Sequence, residues 1–195
     1  MSLIASDFVS LDGVVQAPGG PEEDTDGGFA HGGWSHPYFD VDVMGPVFGE
    51  AAATTGALLF GRRTWQTMAA AWPERAGDPF ADHMNSVDKY VVSQTLTQGD
   101  LTWNNSTLLP SDDLAGSVAD LKRKVDGDIQ ILGSSQLVRF LVSHDLIDEF
   151  SLMIHPIILG GGKRLFPDDG IARNLKLRDL KQASTGVLIA TYVKA

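Results

Sequence analysis

The chain has 195 residues, 43% of them hydrophobic and 21% charged, with a formal charge of -10 and no cysteine. That length gives one domain, residues 1–195, able to bury about 70% of the surface its unfolded form exposes. The acid excess argues against a nucleic-acid or anionic-membrane surface, which needs clustered Lys and Arg. No apolar run reaches the ~20 residues of a membrane span, and the start Met1-Ser2-Leu3-Ile4-Ala5-Ser6-Asp7 lacks the basic start and long apolar stretch expected of a secretion signal. Disulfides, thiolate nucleophiles and cysteine zinc sites are excluded. A soluble, cytoplasmic protein with a small-molecule partner is expected.

In chain order, Leu3–Val9 alternates apolar and small residues as a strand and stops at Ser10-Leu11-Asp12-Gly13. Val14 to about Asp42 is a long irregular segment rich in Gly and Pro. Its aromatics Phe29, Trp34, Tyr38 and Phe39 argue for an ordered active-site loop. Within it, Glu22-Glu23-Asp24-Thr25-Asp26 reads as solvated. His31 and His36 lack a third ligand, so no metal site is expected.

A helix is predicted from Pro46, a residue suited to a first turn, through Ala53. Strand Ala57–Phe60, helix 62–71, strand Lys89–Val92 ending at Ser93, and helix Ala115–Lys124 capped by the preceding Ser111-Asp112-Asp113 follow. Strand Asp128–Leu132 then leads through Gly133-Ser134-Ser135 into helix Gln136–Val142. A strand from Leu146 to Leu159 contains His155, read as a core or interface residue, and runs into Gly160-Gly161-Gly162-Lys163-Arg164. Leu175–Gln182 and Val187–Val193 alternate about Ala183-Ser184-Thr185-Gly186, a hairpin. The pattern implies an α/β protein, a mostly parallel sheet with an antiparallel C-terminal hairpin.

Two junctions carry chemistry. Ala57-Leu58-Leu59-Phe60 ends in Gly61-Arg62-Arg63-Thr64-Trp65, and Ile129-Gln130-Ile131-Leu132 ends in Gly133-Ser134-Ser135. In each, a glycine lets backbone approach a ligand closely at the start of a helix, where free N–H groups attract anions. Arg62 and Arg63 add guanidinium forks that match phosphate. Neither junction is a Walker loop or a Gly-x-Gly-x-x-Gly fingerprint. The pair points to a ligand with several phosphates, held outside the usual nucleotide folds.

These marks together resemble the dihydrofolate reductase-like superfamily. They are similar above all to the C-terminal reductase domain of the riboflavin-biosynthesis deaminase-reductase. The resemblance rests on Ser10-Leu11-Asp12-Gly13, Gly61-Arg62-Arg63-Thr64-Trp65, Val92-Ser93, Leu132-Gly133-Ser134-Ser135, Leu146-Ile147-Asp148-Glu149 and Pro156-Ile157-Ile158-Leu159-Gly160-Gly161-Gly162 with Leu165-Phe166, in that order. It implies a three-layer α/β/α fold, a homodimer built partly on the C-terminal strands, and NADPH as cofactor. Carried over, the cofactor residues are Gly61, Arg62, Arg63, Thr64, Ser93, Gly133, Ser134 and Ser135.

The implied activity is reduction of a small pterin- or pyrimidine-type heterocycle, resembling that of 5-amino-6-(5-phosphoribosylamino)uracil reductase. Dihydrofolate reduction is one alternative, and nucleotide or flavin binding without turnover is another. The substrate would lie between the long loop, the end of the first strand and the glycine triplet, against Leu11, Asp12, Trp34, Gly160 and Gly161. Such a reduction consumes a proton. Asp12, at a strand end beside the expected cleft, is the first candidate to handle it, and Glu50 the second. Dihydrofolate reductases carry an acid in the first helix, near Gly45 here, with Asp42 and Glu50 the nearest carboxylates. Before its second glycine turn the chain has Leu132, where the riboflavin-pathway reductase has an acid.

Overall fold

The computed structural model describes residues 1–75 and 77–195. Eight strands form one sheet: β1 (Leu3–Ser10), β2 (Thr55–Gly61), β3 (Asp88–Val92), β4 (Ser106–Leu109), β5 (Asp128–Ile131), β6 (Glu149–His155), β7 (Leu175–Gln182) and β8 (Leu188–Lys194). Their order is β4-β3-β2-β5-β1-β6-β8-β7. The first six run parallel, β8 is antiparallel to β6, and β7 pairs antiparallel with β8. Five α-helices accompany them: α1 (Val41–Thr54), α2 (Arg62–Ala71), α3 (Pro79–Ser86), α4 (Leu114–Lys124) and α5 (Ser135–Ser143). The expected α/β sheet and C-terminal hairpin are therefore present, and no helix among the described residues is long and apolar enough to cross a membrane.

Alternation along the strands separates two helical layers. Leu3, Ala5 and Val9 of β1 and Ala57 and Leu59 of β2 face one side, packed with Val118 and Leu121 of α4 and Leu137, Val138 and Leu141 of α5. Leu58 and Phe60 of β2 face the other, against Trp65 of α2 and Met84 of α3. Phe8 of β1 and Met153 of β6 also face that side, against Met44, Val47 and Phe48 of α1. A strand buried on both faces reads as a continuous apolar run, which is why Ala57–Phe60 stands out in the sequence.

Some expected boundaries move. The first helix starts five residues before Pro46, because Asp40 caps it by accepting a hydrogen bond from the Asp42 amide at 3.2 Å. Pro46 lies inside α1 rather than at its first turn. The strand expected over 146–159 is paired only from Glu149 to His155; Pro156 has no N–H to offer a ladder, and Ile157 N turns back to the His155 carbonyl at 2.8 Å. His155 itself is 1% exposed, ringed edge-on by Phe8, Trp34 and Tyr38, and burial holds its imidazole below the usual histidine range.

Candidate ligand-binding crevice

The connections place a crevice in the middle of the sheet. From β1 the chain moves through α1 to β2 and on to β3, with α1, α2 and α3 on one face. From β4 it returns through α4 to β5 and through α5 to β6, with both helices on the other face. Right-handed crossovers require this change of face when direction reverses. Adjacent strands β1 and β5 thus send their following segments to opposite sides, and open α/β sheets bind ligands at such a switch point. The opening is widened because β5 stops early. Its last register pair with β1 is Ala5–Ile131, whereas β1 continues alongside β6 to Ser10–His155. Beyond Ala5, the edge of β1 that faced β5 has no strand beside it until Ser10 N donates to Val14 O at 2.9 Å.

Both glycine junctions open onto this crevice and touch each other. Gly61 N donates to Gly133 O at 3.2 Å. A β-carbon on Gly61 would stand 2.4 Å from Ser134 Oγ, and one on Gly133 would stand 3.1 Å from Thr64 Oγ1. Gly133 also has φ +103°, a conformation other residues rarely adopt, and its peptide with Ser134 is cis. Gly61 and Ser134 are the N-caps of α2 and α5, and neither helix start receives a side-chain cap bond. Two sets of first-turn N–H groups are thereby left for a ligand, with both helix dipoles positive at that end.

Around this cradle, Arg62 makes one side-chain bond, from its guanidinium to Gln66 Oε1 at 3.3 Å, and carries no ion pair among the described residues. Arg63 instead reaches across to Asp26 and, at 4.0 Å, Asp24. Ser93 directly follows Val92, the register partner of Gly61, so it stands at the cradle's flank. Its hydroxyl accepts from the amides of Thr95 and Leu96 at 3.1 and 3.0 Å.

The residues expected on the substrate side divide by their contacts. Burial of Asp12 is outweighed by hydrogen bonds from Ser10 Oγ at 2.7 Å and from the amides of Leu159 and Gly160 at 3.1 and 2.9 Å; together they pull its carboxyl down to about 2. Asp12 is an ionised clamp on the glycine triplet, a different task from carrying a proton near neutrality. Leu11, Gly160 and Gly161 are exposed beside it. Trp34 is 5% exposed, donates Nε1–H to Gln16 O at 2.8 Å and abuts His155, so it fastens the long loop to the sheet. Glu50 points away from the crevice, paired at 2.9 Å with Lys181 on β7, at the far edge of the sheet.

The acidic run expected to be solvated is tied down. Asp24 and Asp26 sit between Lys163, 2.9 Å from Asp26, and Arg63, and Gln16 Nε2 donates to the carbonyls of both at 3.0 Å. The long loop is therefore fixed by charge to the start of α2 and to the segment after the glycine triplet. Between the loop and the glycine triplet is an open pocket of about 470 Å³, lined among others by Gln16, Asp26, Phe29, His31, Gly161 and Lys163. That volume lies within the range of small-molecule sites.

One titratable group escaped the sequence reading. Asp7, in β1 between Ala5 and Val9, makes no side-chain hydrogen bond or ion pair among the described residues, and its Oδ2 is closed off from solvent. Burial pushes its carboxyl up to about 7. The available signal was parity: Leu3, Ala5, Asp7 and Val9 share one face of the strand, and the other three are core residues.

Comparison with known proteins agrees with this architecture. The curated relatives include the uncharacterized protein YyaP of Bacillus subtilis, 31% identical over 140 residues, covering 69% of this chain and 72% of that protein. A second, the uncharacterized YwjB of the same organism, is 35% identical over 77 residues, 40% of this chain and 44% of that protein. Among solved structures, a Shewanella sp. PV-4 protein named for riboflavin biosynthesis superposes with TM-score 0.76 at 21% identity, covering 100% of this chain and 99% of that one. A pyrimidine reductase-like protein from Corynebacterium diphtheriae superposes with TM-score 0.64 at 15% identity, covering 100% and 92%. At those identities the superpositions speak for the fold. The family model of the RibD C-terminal domain matches residues 1–189, and the chain belongs to that family.

Proposed function

We propose that the protein is an NADPH-dependent reductase of a small pterin- or pyrimidine-type heterocycle. The observation that carries this reading is the meeting of two uncapped helix starts at the switch point, with Gly61 against Ser134 and Gly133 against Thr64. Backbone N–H groups of the two turns, the hydroxyls of Thr64, Ser134 and Ser135, and Arg62 fit the phosphates of a dinucleotide. Arg62, without a carboxylate partner among the described residues, is the group suited to the 2′-phosphate that distinguishes NADPH from NADH. When bound, the cofactor supplies hydride. The chain's own residues orient and enclose: Asp12 fixes the glycine triplet as one wall, and the loop anchored by Asp24, Asp26, Arg63 and Lys163 forms the other. The names of the structural relatives, riboflavin biosynthesis and pyrimidine reductase-like, favour a pyrimidine over a folate, and Glu50 is turned away to Lys181.

We also propose a homodimer. β7 is a sheet edge whose Leu177 and Leu180 are 46% and 51% exposed, flanked by exposed Leu175 and Leu188, and a second copy of this surface would cover them.

Thermal unfolding with NADPH, and with NADH as control, tests the cofactor. A ligand at 100 times its Kd stabilises by about 2.7 kcal/mol, a rise of about 5–10 °C for a chain of this size. A larger shift with NADPH than with NADH is expected. No shift with either would overturn the reading.

A further inference from the structure

We infer that Asp7 is the group through which the crevice engages the nitrogen-bearing edge of the substrate heterocycle, and that its carboxyl supplies the proton the reduction consumes. The inference rests on the reductase reading above and adds to it the acid that neither α1 nor the residue before the second glycine turn provides.

Three observations meet at this side chain. First, its place: Asp7 is two residues past Ala5, the last β1 residue paired with β5, so it stands on the stretch of β1 that borders the notch. The β5 segment at that level has already turned away as Gly133-Ser134, into the start of α5. Second, its surroundings: the core layer on its face of the sheet includes Ile129 and Ile131 from β5, Phe150, Leu152 and Ile154 from β6, and Leu137, Val138 and Leu141 from α5, with the phenols Tyr90 of β3 and Tyr192 of β8 packed against that layer. None of these carries a charge near neutral pH, and among the described residues neither tyrosine hydrogen-bonds to Asp7 and no cation pairs with it. Third, its valence: Oδ2 is sealed without a partner, while the residue as a whole is half-buried, so its second oxygen remains open.

A buried carboxyl without a partner is destabilising, and such groups persist at sites that a ligand completes. Raised to about 7, the carboxyl is poised to give up its proton near neutral pH. In reduction of a ring C=N bond, the carbon receives hydride, with NADPH oxidised to NADP⁺ as the donor. The nitrogen receives the Asp7 proton, leaving a carboxylate. Water reaching the open oxygen restores that proton. A C=O bond is served in the same way, with the proton passing to oxygen.

The test uses the full chain, with 2,4-diaminopyrimidine as probe because its ring nitrogen and flanking amino group offer a carboxyl one proton acceptor and one donor. Calorimetric titration of wild type, Asp7→Asn and Asp7→Leu is paired with thermal unfolding with and without NADPH. Both variants are expected to melt at or above the wild-type temperature, since they remove an unpartnered buried acid, and to keep any NADPH shift. Probe binding is expected to weaken at least tenfold in each. Infrared difference spectra of wild type against Asp7→Asn are expected to show a protonated carboxyl that becomes carboxylate when the probe binds. Binding within twofold of wild type in Asp7→Asn, or no probe binding by wild type, would overturn the assignment. A lower melting temperature in both variants would make Asp7 a structural residue and overturn it too. Absence of an NADPH shift in wild type is a separate result that strikes the cofactor reading, while the probe titration still decides Asp7.

Discussion

Gly61 and Ser134 lie so close that a single added carbon on the glycine would fall 2.4 Å from the serine hydroxyl. They cap different helices on opposite faces of the sheet, and their contact brings the two uncapped helix starts together.

Gly61→Ala is therefore expected to push the two turns apart. Overpacking of this kind costs about 1–3 kcal/mol. The NADPH-induced rise in melting temperature should fall by more than half, whereas Gly49→Ala, in open space on α1, should leave that rise unchanged. Differential scanning fluorimetry of both variants reads the comparison.

The two arginines should separate. Among the described residues Arg62 holds only Gln66, while Arg63 is engaged with Asp24 and Asp26. Arg62→Ala is expected to weaken NADPH about tenfold or more, the loss of a charge-assisted hydrogen bond of about 1.5–3 kcal/mol, with little change for NADH. Arg63→Ala should affect both nucleotides alike, through the loop. Fluorescence titration with each nucleotide gives the ratio.

Asp12 contributes stability with a definite pH sign. Its folded-state carboxyl sits at about 2, below the ordinary carboxylate value. The contribution is present above that ordinary value and is lost as pH falls through the folded one. Asp12→Asn should destabilise by about 1–3 kcal/mol near pH 7, and the gap to wild type should close towards about pH 2. Urea midpoints across that range measure it.

Leu177→Lys with Leu180→Lys places two charges on the exposed edge strand β7. In light scattering the wild-type protein is expected at twice the chain mass and the double variant at the chain mass, with secondary structure by circular dichroism unchanged. A wild-type monomer would remove the dimer.

Much of this geometry could be read from residues alone where two signals coincided. Gly61 followed by Arg62 marked both the end of a buried apolar strand and a helix start, and α2 spans 62–71 as expected. β7 likewise occupies Leu175–Gln182. Where one signal stood alone, it misled or was missed. Pro46 suits a first turn, yet the stronger cap is Asp40. The sequence reading left out α3, eight residues with only Ala81 and Met84 buried, although Asp78-Pro79 carries a cap and a first-turn proline. β4 is four residues with one of them buried, too short for an alternation. In the site, the acids were read by local chemistry, but their tasks depend on partners distant in sequence. Asp24 and Asp26 meet Lys163 about 140 residues on, Asp12 meets Gly160, and Asp7 meets none among the described residues.

The early end of β5 also bears on how such a site changes over generations. The border of the notch along β1 is made of peptide groups, and no substitution short of proline deletes a peptide N–H or any deletes a carbonyl. Side chains on the rim, in the long loop and in the glycine triplet can be exchanged while that hydrogen-bonding border persists. The sheet thus offers a fixed reading edge, and the surrounding loops choose what is read.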